Sequence, residues 1–464
     1  MEEAAVQGLV GRRSGAGLSA WERPSCRLAV VFSALACLGL VLVASTAPPG
    51  QEGAIESALL RRLLWMAVGA AGFAIGCAVN YQRWRRHSGA LAAVALALLV
   101  AVLVPGVGTC VNGARRWIRF GPLFGIQPSE FAKVALVIWL AAYCERRLHA
   151  DGGLGDGGEM RTAVRGFLVP AAVAALAAGL VLIEPDFGTA VLIGTVSMGL
   201  LLVCGTQPLH VTLACAAAVP VLYKLIFGSP YRLERVATFL DPWRDPTGSG
   251  YQLVQSLIAI GSGGLLGTGL GEGAMGFLPA ARNDFIMSAA AEQLGFVGAV
   301  IVIAAFLWIL RDGLKVALRA RDTFGFALAF GLTALIGLQA AVHVAVVTGS
   351  VPTKGLSLPF VSAGGSALFF TMWAGGVLIN IARSEEAPER FELVSCDRDV
   401  PSYEQRLRGV TRKRLRAFGN IARSASAVAA AGMMCPPVPP PAKITRRSRS
   451  AGLLSALTAS PLSS

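Results

Sequence analysis

Few residues in this chain have both the chemistry and the placing to act on a substrate, and most are carboxylates at the ends of apolar runs. A charge at membrane depth is costly unless it meets water, a partner or a ligand, which makes each one a candidate. Asp284 follows Arg282 and opens an apolar run that holds Glu292 two turns further on. A carboxylate at a water–lipid boundary can take the proton of an attacking hydroxyl, and nearby cations can stabilise a departing phosphate. The spacing leaves two readings of Asp284 open, a general base or the N-cap of the helix it precedes. Glu130 and Lys133 stand three apart and share a helical face, either as an ion pair at a helix start or as part of a polar site. Glu184 and Asp186 flank Pro185 in a tight turn, where Asp186 reads first as an N-cap. The segment Thr348 to Ser366 has prolines at 352 and 359, Lys354, and the hydroxyls of Ser362 and Ser366 around Gly364 and Gly365. Its rigid turns could line a polar crevice, or simply re-enter between two helices. Gln252 to Ile260 reads as a helix and is followed by the Gly-rich run 261–273, which allows close backbone approach. No strand precedes that run, so phosphate-loop readings lack their context.

The elements that must position these groups are transmembrane helices. The chain has 464 residues, 54% hydrophobic and 15% charged, with mean hydropathy +0.61. A soluble domain carries about 25% charged residues, so most of this chain belongs in lipid. Ten apolar runs are long enough to cross about 30 Å of hydrocarbon. They are 28–47, 63–80, 88–105, 131–144, 167–183, 187–204, 208–227, 285–310, 324–347 and 365–382, and four of them carry ionisable residues: Lys133, His210 with Lys224, Glu292, and His343. A cytoplasmic N-terminus puts Arg83, Arg85, Arg86, Arg146, Arg147, Arg161, Arg165, Lys315, Arg319 and Arg321 inside, as the Lys/Arg bias requires. The predicted fold class is therefore an all-α integral membrane protein with both termini cytoplasmic and one long outer loop, 228–283, between helices 7 and 8. Residues 1–27 form a cytoplasmic arm, 28–383 the membrane domain, and 384–464 a disordered basic, Pro-containing tail. The outer loop 106–127 breaks the charge rule with Arg115, Arg116 and Arg119, which is either chance or an outward anion site. The net charge of +14 reflects orientation and anionic lipid rather than nucleic acid. Nine cysteines offer neither a periplasmic pair nor a metal-ligand spacing.

Several segments together resemble the SEDS family (FtsW, RodA, SpoVE) over about residues 28–383. They are Asn112-Gly113-Ala114-Arg115-Arg116-Trp117, Gln127-Pro128-Ser129-Glu130 with Lys133, Glu184-Pro185-Asp186-Phe187-Gly188-Thr189-Ala190, Tyr251-Gln252 with Gln255-Ser256, Asp284-Phe285, and Pro352-Thr353-Lys354-Gly355 through Ser366. Thr353-Lys354 before Gly355 looks more like the FtsW branch than RodA. The chain departs from the family at Ala280, Arg282, Gln293, His343 and Ala363, losing a loop carboxylate, a histidine and a tyrosine.

The resemblance implies a peptidoglycan glycosyltransferase that polymerises lipid II at the outer face of the bacterial inner membrane, at the division septum. Asp284 would be the base, and Arg116, Lys133 and Lys354 would meet the pyrophosphate. Glu130, Asp186, Ser362 and Ser366 would complete the substrate site, with Glu292 and Gln252 behind it. No cofactor follows from the residues; the resemblance admits a divalent cation, Mg or Mn. The implied partners are a class B penicillin-binding protein and other divisome proteins. The rival readings are a RodA-like elongation polymerase, a lipid II flippase, and a non-catalytic division scaffold.

Overall fold

The computed structural model describes residues 20–46, 52–111, 113–121, 124–148, 158–273 and 282–386. The expectations for the N-terminal arm before residue 20, for Asn112, for residues 279–281 and for the tail beyond residue 386 lie outside the described residues.

Each of the ten apolar runs lies on a helix. The first three helices are α1 (Pro24–Ser45), α2 (Glu52–Ala78) and α3 (Tyr81–Leu103). Strands β1 (Thr109–Val111), β2 (Ala114–Phe120) and β3 (Phe124–Ile126) then precede α4 (Pro128–Leu148). Next come α5 (Val169–Ile183), which a π-helical stretch, Ala163–Leu168, extends to a 21-residue span, then α6 (Phe187–Val203), α7 (Pro208–Phe227), α8 (Pro230–Leu240) and α9 (Tyr251–Ser262). The last three are α10 (Ile286–Arg319), α11 (Thr323–Val347) and α12 (Gly365–Glu386). Among the described residues, 8 helices are long and apolar enough to cross a membrane. The other two runs fall short for physical reasons: α6 has 17 residues, and α4 carries Glu130, Lys133, Glu145, Arg146 and Arg147. Nearly the whole surface of α4 is buried among neighbouring helices, where polar groups can find partners rather than lipid. Several helices outrun their apolar runs; α3 starts at Tyr81, ahead of Arg83, Arg85 and Arg86, so basic turns continue it past the hydrocarbon edge.

The centre of the bundle is α4, α11 and α12, most of whose residues are buried, whereas the lipid-facing α7 buries none. Helices α2 and α12 approach closely because Gly76 and Gly376 face each other's backbone: a Cβ on Gly76 would lie 2.6 Å from the Trp373 carbonyl oxygen. Small residues permit such contact where hydrophobic driving force between helices is weak. On the inner side, Asp322 caps α11 at the Gly325 amide (3.3 Å) and accepts from Tyr81 Oη at 2.6 Å and Gln82 Nε2 at 2.9 Å, joining α3 to α11.

Two outer connections are more ordered than their sequences suggested. The arginine-bearing loop 106–127 folds as an antiparallel sheet, β1-β2-β3, pairing Cys110 with Arg115 and Ile118 with Ile126. The long loop contains α8, a 3-10 turn at Pro242–Arg244, and α9, the last extending the predicted 252–260 helix by a residue or two at each end. Ser256 pins α9 to the bundle through Ser288 Oγ (2.6 Å) and the Val347 carbonyl (2.8 Å). The Gly-rich run behaves as expected, with positive φ at Gly264, Gly267, Gly269 and Gly271. It fits into a break in α10 at Gly295 (φ 72), where Thr268 N donates to Glu292 O at 2.9 Å and Phe296 N to Gly264 O at 2.9 Å. That break turns one 34-residue helix into a short outer segment carrying Glu292 and a membrane-crossing one.

Candidate active site

Asp284 lies outside α10. The N-cap position belongs to Phe285, which supplies no side-chain bond. Among the described residues no group hydrogen-bonds the Asp284 carboxylate, so the cap reading loses its geometric basis. The carboxylate faces the backbone of Gly355: a Cβ built there would sit 3.1 Å from Asp284 Oδ2. Burial pushes the Asp284 pKa up to about 6, with Asp186 raising it further and Arg235 and Arg116 opposing. A base with a pKa close to the working pH is mostly ionised yet still holds a proton well.

The segment after α11 dips back into the bundle, with Leu356, Leu358, Phe360 and Val361 all buried. Its connection to Asp284 is direct. Ser362 Oγ accepts from Leu358 N at 2.8 Å and donates to Asn283 O at 2.7 Å, while Ala363 N donates to Arg282 O at 2.9 Å. The Lys354 ammonium stands 3.9 Å from the Phe187 ring centroid. Burial, together with the nearby Arg235, lowers its pKa to about 8, and Asp186 opposes them. Among the described residues no carboxylate forms an ion pair with Lys354, which leaves it able to meet a phosphate.

Arg116, on β2, holds the turn between α5 and α6: Nε donates to Glu184 O and an Nη to Pro185 O, both at 2.7 Å. Asp186 is the N-cap of α6, accepting from Thr189 N at 3.1 Å, Thr189 Oγ1 at 2.8 Å and Gln127 Nε2 at 3.3 Å. The bland reading of Asp186 therefore describes its contacts, although its charge still acts on Asp284. Glu184 is fully buried, and neither carboxylate oxygen has a partner among the described residues. Burial first, then repulsion from Asp186, raises its pKa to about 8 against the pull of Arg116, so it is mainly protonated at neutral pH.

Glu130 and Lys133 pair at 2.9 Å, and Lys133 also donates to Gln339 Oε1 at 2.8 Å. Gln339 Nε2 passes the chain on to the Ser357 carbonyl at 2.8 Å. The cavity they line with Pro359 and Phe370 is about 10 Å³, room for about one water molecule. The pair thus supports the Lys354 segment from beneath rather than opening onto a substrate-sized space. His343, where the family has Asn, joins the same support, its Nδ1 lying 2.7 Å from Leu356 O.

Other expected members are more remote. Arg282 turns away from Asp284, its nearest bond being to Thr46 O at 3.4 Å. The cation that faces Asp284 is instead Arg235 on α8, whose Nη1 donates to Thr353 O at 2.7 Å. No motif marks Arg235 in the sequence, although Arg232 and Arg235 are outward arginines breaking the same charge rule as Arg116. Ser366 is buried and accepts from Gln127 N at 3.4 Å. Glu292 is buried where the Gly-rich run crosses α10, with Gly273 against its carboxylate. Gln252 is half-buried on α9. As for the divalent cation, among the described residues no three His, Cys, Asp or Glu side chains are grouped to hold a metal ion. Asp186 is engaged in capping α6.

Against known proteins, this architecture has clear relatives. A protein of Geobacter metallireducens described as a probable peptidoglycan glycosyltransferase FtsW is 37% identical over 366 residues, 78% of this chain and 95% of its own. A solved peptidoglycan synthase complex, reported for its structural coordination of polymerization and crosslinking, has a chain that superposes with TM-score 0.63 at 30% identity, covering 77% of this chain and 97% of that one. The Thermus thermophilus rod shape determining protein RodA superposes with TM-score 0.57 at 26% identity, covering 77% and 96%. The family profile described as cell cycle protein, FtsW/RodA/SpoVE, matches residues 26–387, and the chain belongs to that family.

Proposed function

We propose that this protein polymerises lipid II into glycan strands at the outer face of the cytoplasmic membrane. The observation that carries the reading is a base lying against the short segment that carries a cation. Asp284, with no hydrogen-bond partner among the described residues, lies against Gly355, and Lys354 precedes that glycine with no carboxylate to neutralise it. In the reaction the acceptor's GlcNAc 4-hydroxyl attacks the anomeric carbon of the donor's MurNAc. Its proton passes to Asp284, the bond from that carbon to the pyrophosphate oxygen breaks, and undecaprenyl pyrophosphate departs. Lys354 would take up the charge growing on the leaving group, where preorganised cations act most strongly. Arg116 and Arg235 keep the surrounding turns in place and add positive potential. No step is routed through a metal ion.

The name of the Geobacter relative supports the glycosyltransferase assignment, and the cell cycle family supports a role in cell division. The synthase complex, reported to coordinate polymerization with crosslinking, supports a crosslinking partner, which we take to be a class B penicillin-binding protein. A flippase would want polar groups at every depth, and Lys224 falls in the last turn of α7 at the outer end. The test is polymerisation of labelled lipid II by the purified full-length protein, with and without its co-expressed transpeptidase. Long glycan products absent from an Asp284→Asn preparation are expected. Translocation of lipid II without polymer would overturn the reading in favour of transport, and neither activity would leave a scaffold.

A further inference from the structure

The largest fully buried side chain among the described residues is a cation, Arg62 on α2, at 2% exposure. No acidic group pairs with it among the described residues. Its guanidinium instead donates to three successive carbonyls: Phe360 and Val361 at 3.0 Å each, and Ser362. An uncompensated charge in a membrane bundle is costly, so its three acceptors must be held firmly in place. Three consecutive carbonyls converge on one donor because Phe360 adopts φ 66, a conformation unfavourable for a bulky residue and maintained only where surroundings impose it. Phe32 of α1 stacks on that ring with centroids 4.7 Å apart. Gly39 of α1 leaves the space: a Cβ there would lie 2.6 Å from an Arg62 Nη and would strike the Val361 carbonyl oxygen.

The turn gripped in this way is the one that reaches Asp284. Ser362, whose carbonyl Arg62 binds, sends its hydroxyl to Asn283 O, and Ala363 bonds Arg282 O. We infer that Arg62 is a positioning residue for glycan transfer, fixing the 360–362 turn and, through Ser362 and Ala363, the backbone that aims Asp284. This rests on the polymerase reading above. Arg62 touches neither substrate nor reacting atoms, so its loss should act on the chemical step and spare lipid II binding. A displacement of about 1 Å in a catalytic group can cost ~10²-fold in rate.

The test uses full-length protein with its partner and three variants. Arg62→Lys keeps the charge but loses the fork that spans several carbonyls, Ser362→Ala cuts the bridge to Asn283, and the double variant combines them. Arg62→Lys should lower kcat ~10-fold or more with KM within about threefold. The double variant should fall little below the worse single, as for two links in one path. Gly39→Ala, which crowds the same turn while keeping the arginine, should give the same kcat-only signature if Arg62→Lys fails to accumulate. Hydrogen exchange at the Leu358 and Ala363 amides should lose protection in Arg62→Lys, a readout independent of activity. Wild-type kcat in the substituted protein, a loss confined to KM, effects that simply multiply, or unchanged exchange would each return Arg62 to a fold-supporting role. An inactive wild type with intact exchange coupling would instead remove the polymerase reading and leave the coupling standing.

Discussion

Replacing Asp284 by Asn removes the base and keeps the side chain's size. With its pKa raised to about 6, mainly by burial, the carboxylate is about nine-tenths ionised at pH 7 and about one-tenth at pH 5. Wild-type kcat/KM should therefore fall roughly tenfold on acidification across that range. Asp284→Asn should lose ~10²–10⁴-fold of the rate at pH 7, and the acid limb should vanish from whatever remains. Stability should move the other way. A pKa raised from 3.8 to about 6 means the folded state favours the protonated form. The pair of states is balanced below about 4, and the ionised group destabilises the fold increasingly as pH rises through 6. Asn relieves that cost at pH 7 by at most ~3 kcal/mol, and by less because part of the carboxylate meets solvent. Lipid II polymerisation at several pH values, beside thermal unfolding in detergent, reads both effects. A variant with a near-normal rate, or an inactive one that is also markedly less stable, would refute the base assignment, the second by making Asp284 a structural residue.

The remaining predictions concern its neighbours. Lys354→Met should cut kcat by ~10-fold or more, and Lys354→Arg should restore part of it, since the ammonium is asked to offset charge on the leaving group; equal rates in both would remove that role. Glu184 should ionise above pH 8, placing a second charge beside Asp186, so a decline in wild-type activity above pH 8 should be absent in Glu184→Gln. Lys133→Ala strands Glu130 in a buried site and should destabilise the protein by ~3–5 kcal/mol, with Glu130→Gln/Lys133→Met recovering much of that loss; the comparison is made on yield and thermal midpoint. Ser249→Cys, in the exposed turn before α9, should react with a membrane-impermeant thiol reagent from the outer side alone, and labelling from the cytoplasm would invert the topology.

The helices were legible because lipid imposes a simple rule: uncharged apolar stretches of sufficient length become spans, and arginines mark the inner ends. That rule found all ten runs, even α4, whose charges are tolerated because it is wrapped by other helices. It could not find the sheet at 109–126, whose short strands carry a mixed pattern weaker than any span, nor the break in α10, which depends on the Gly-rich segment arriving at Gly295 from more than twenty residues away. Motif order singled out Asp284, Lys354 and Arg116, and the structure sets Asp284 against the glycine that follows Lys354. It could not say which cation faces Asp284, because Arg282 is adjacent in sequence yet directed to Thr46, while Arg235 reaches the site from α8. Nor did spacing separate a cap from a base: Asp186 and Asp284 each precede an apolar run, yet one caps its helix and the other stands clear of it. Arg62 illustrates the limit most plainly. In the sequence it is one of two adjacent arginines at the start of a span, where the charge rule offers no role for it. Its three acceptors lie some 300 residues away in the chain, and only tertiary packing, with Gly39 making room and Phe360 bent into register, brings donor and acceptors together.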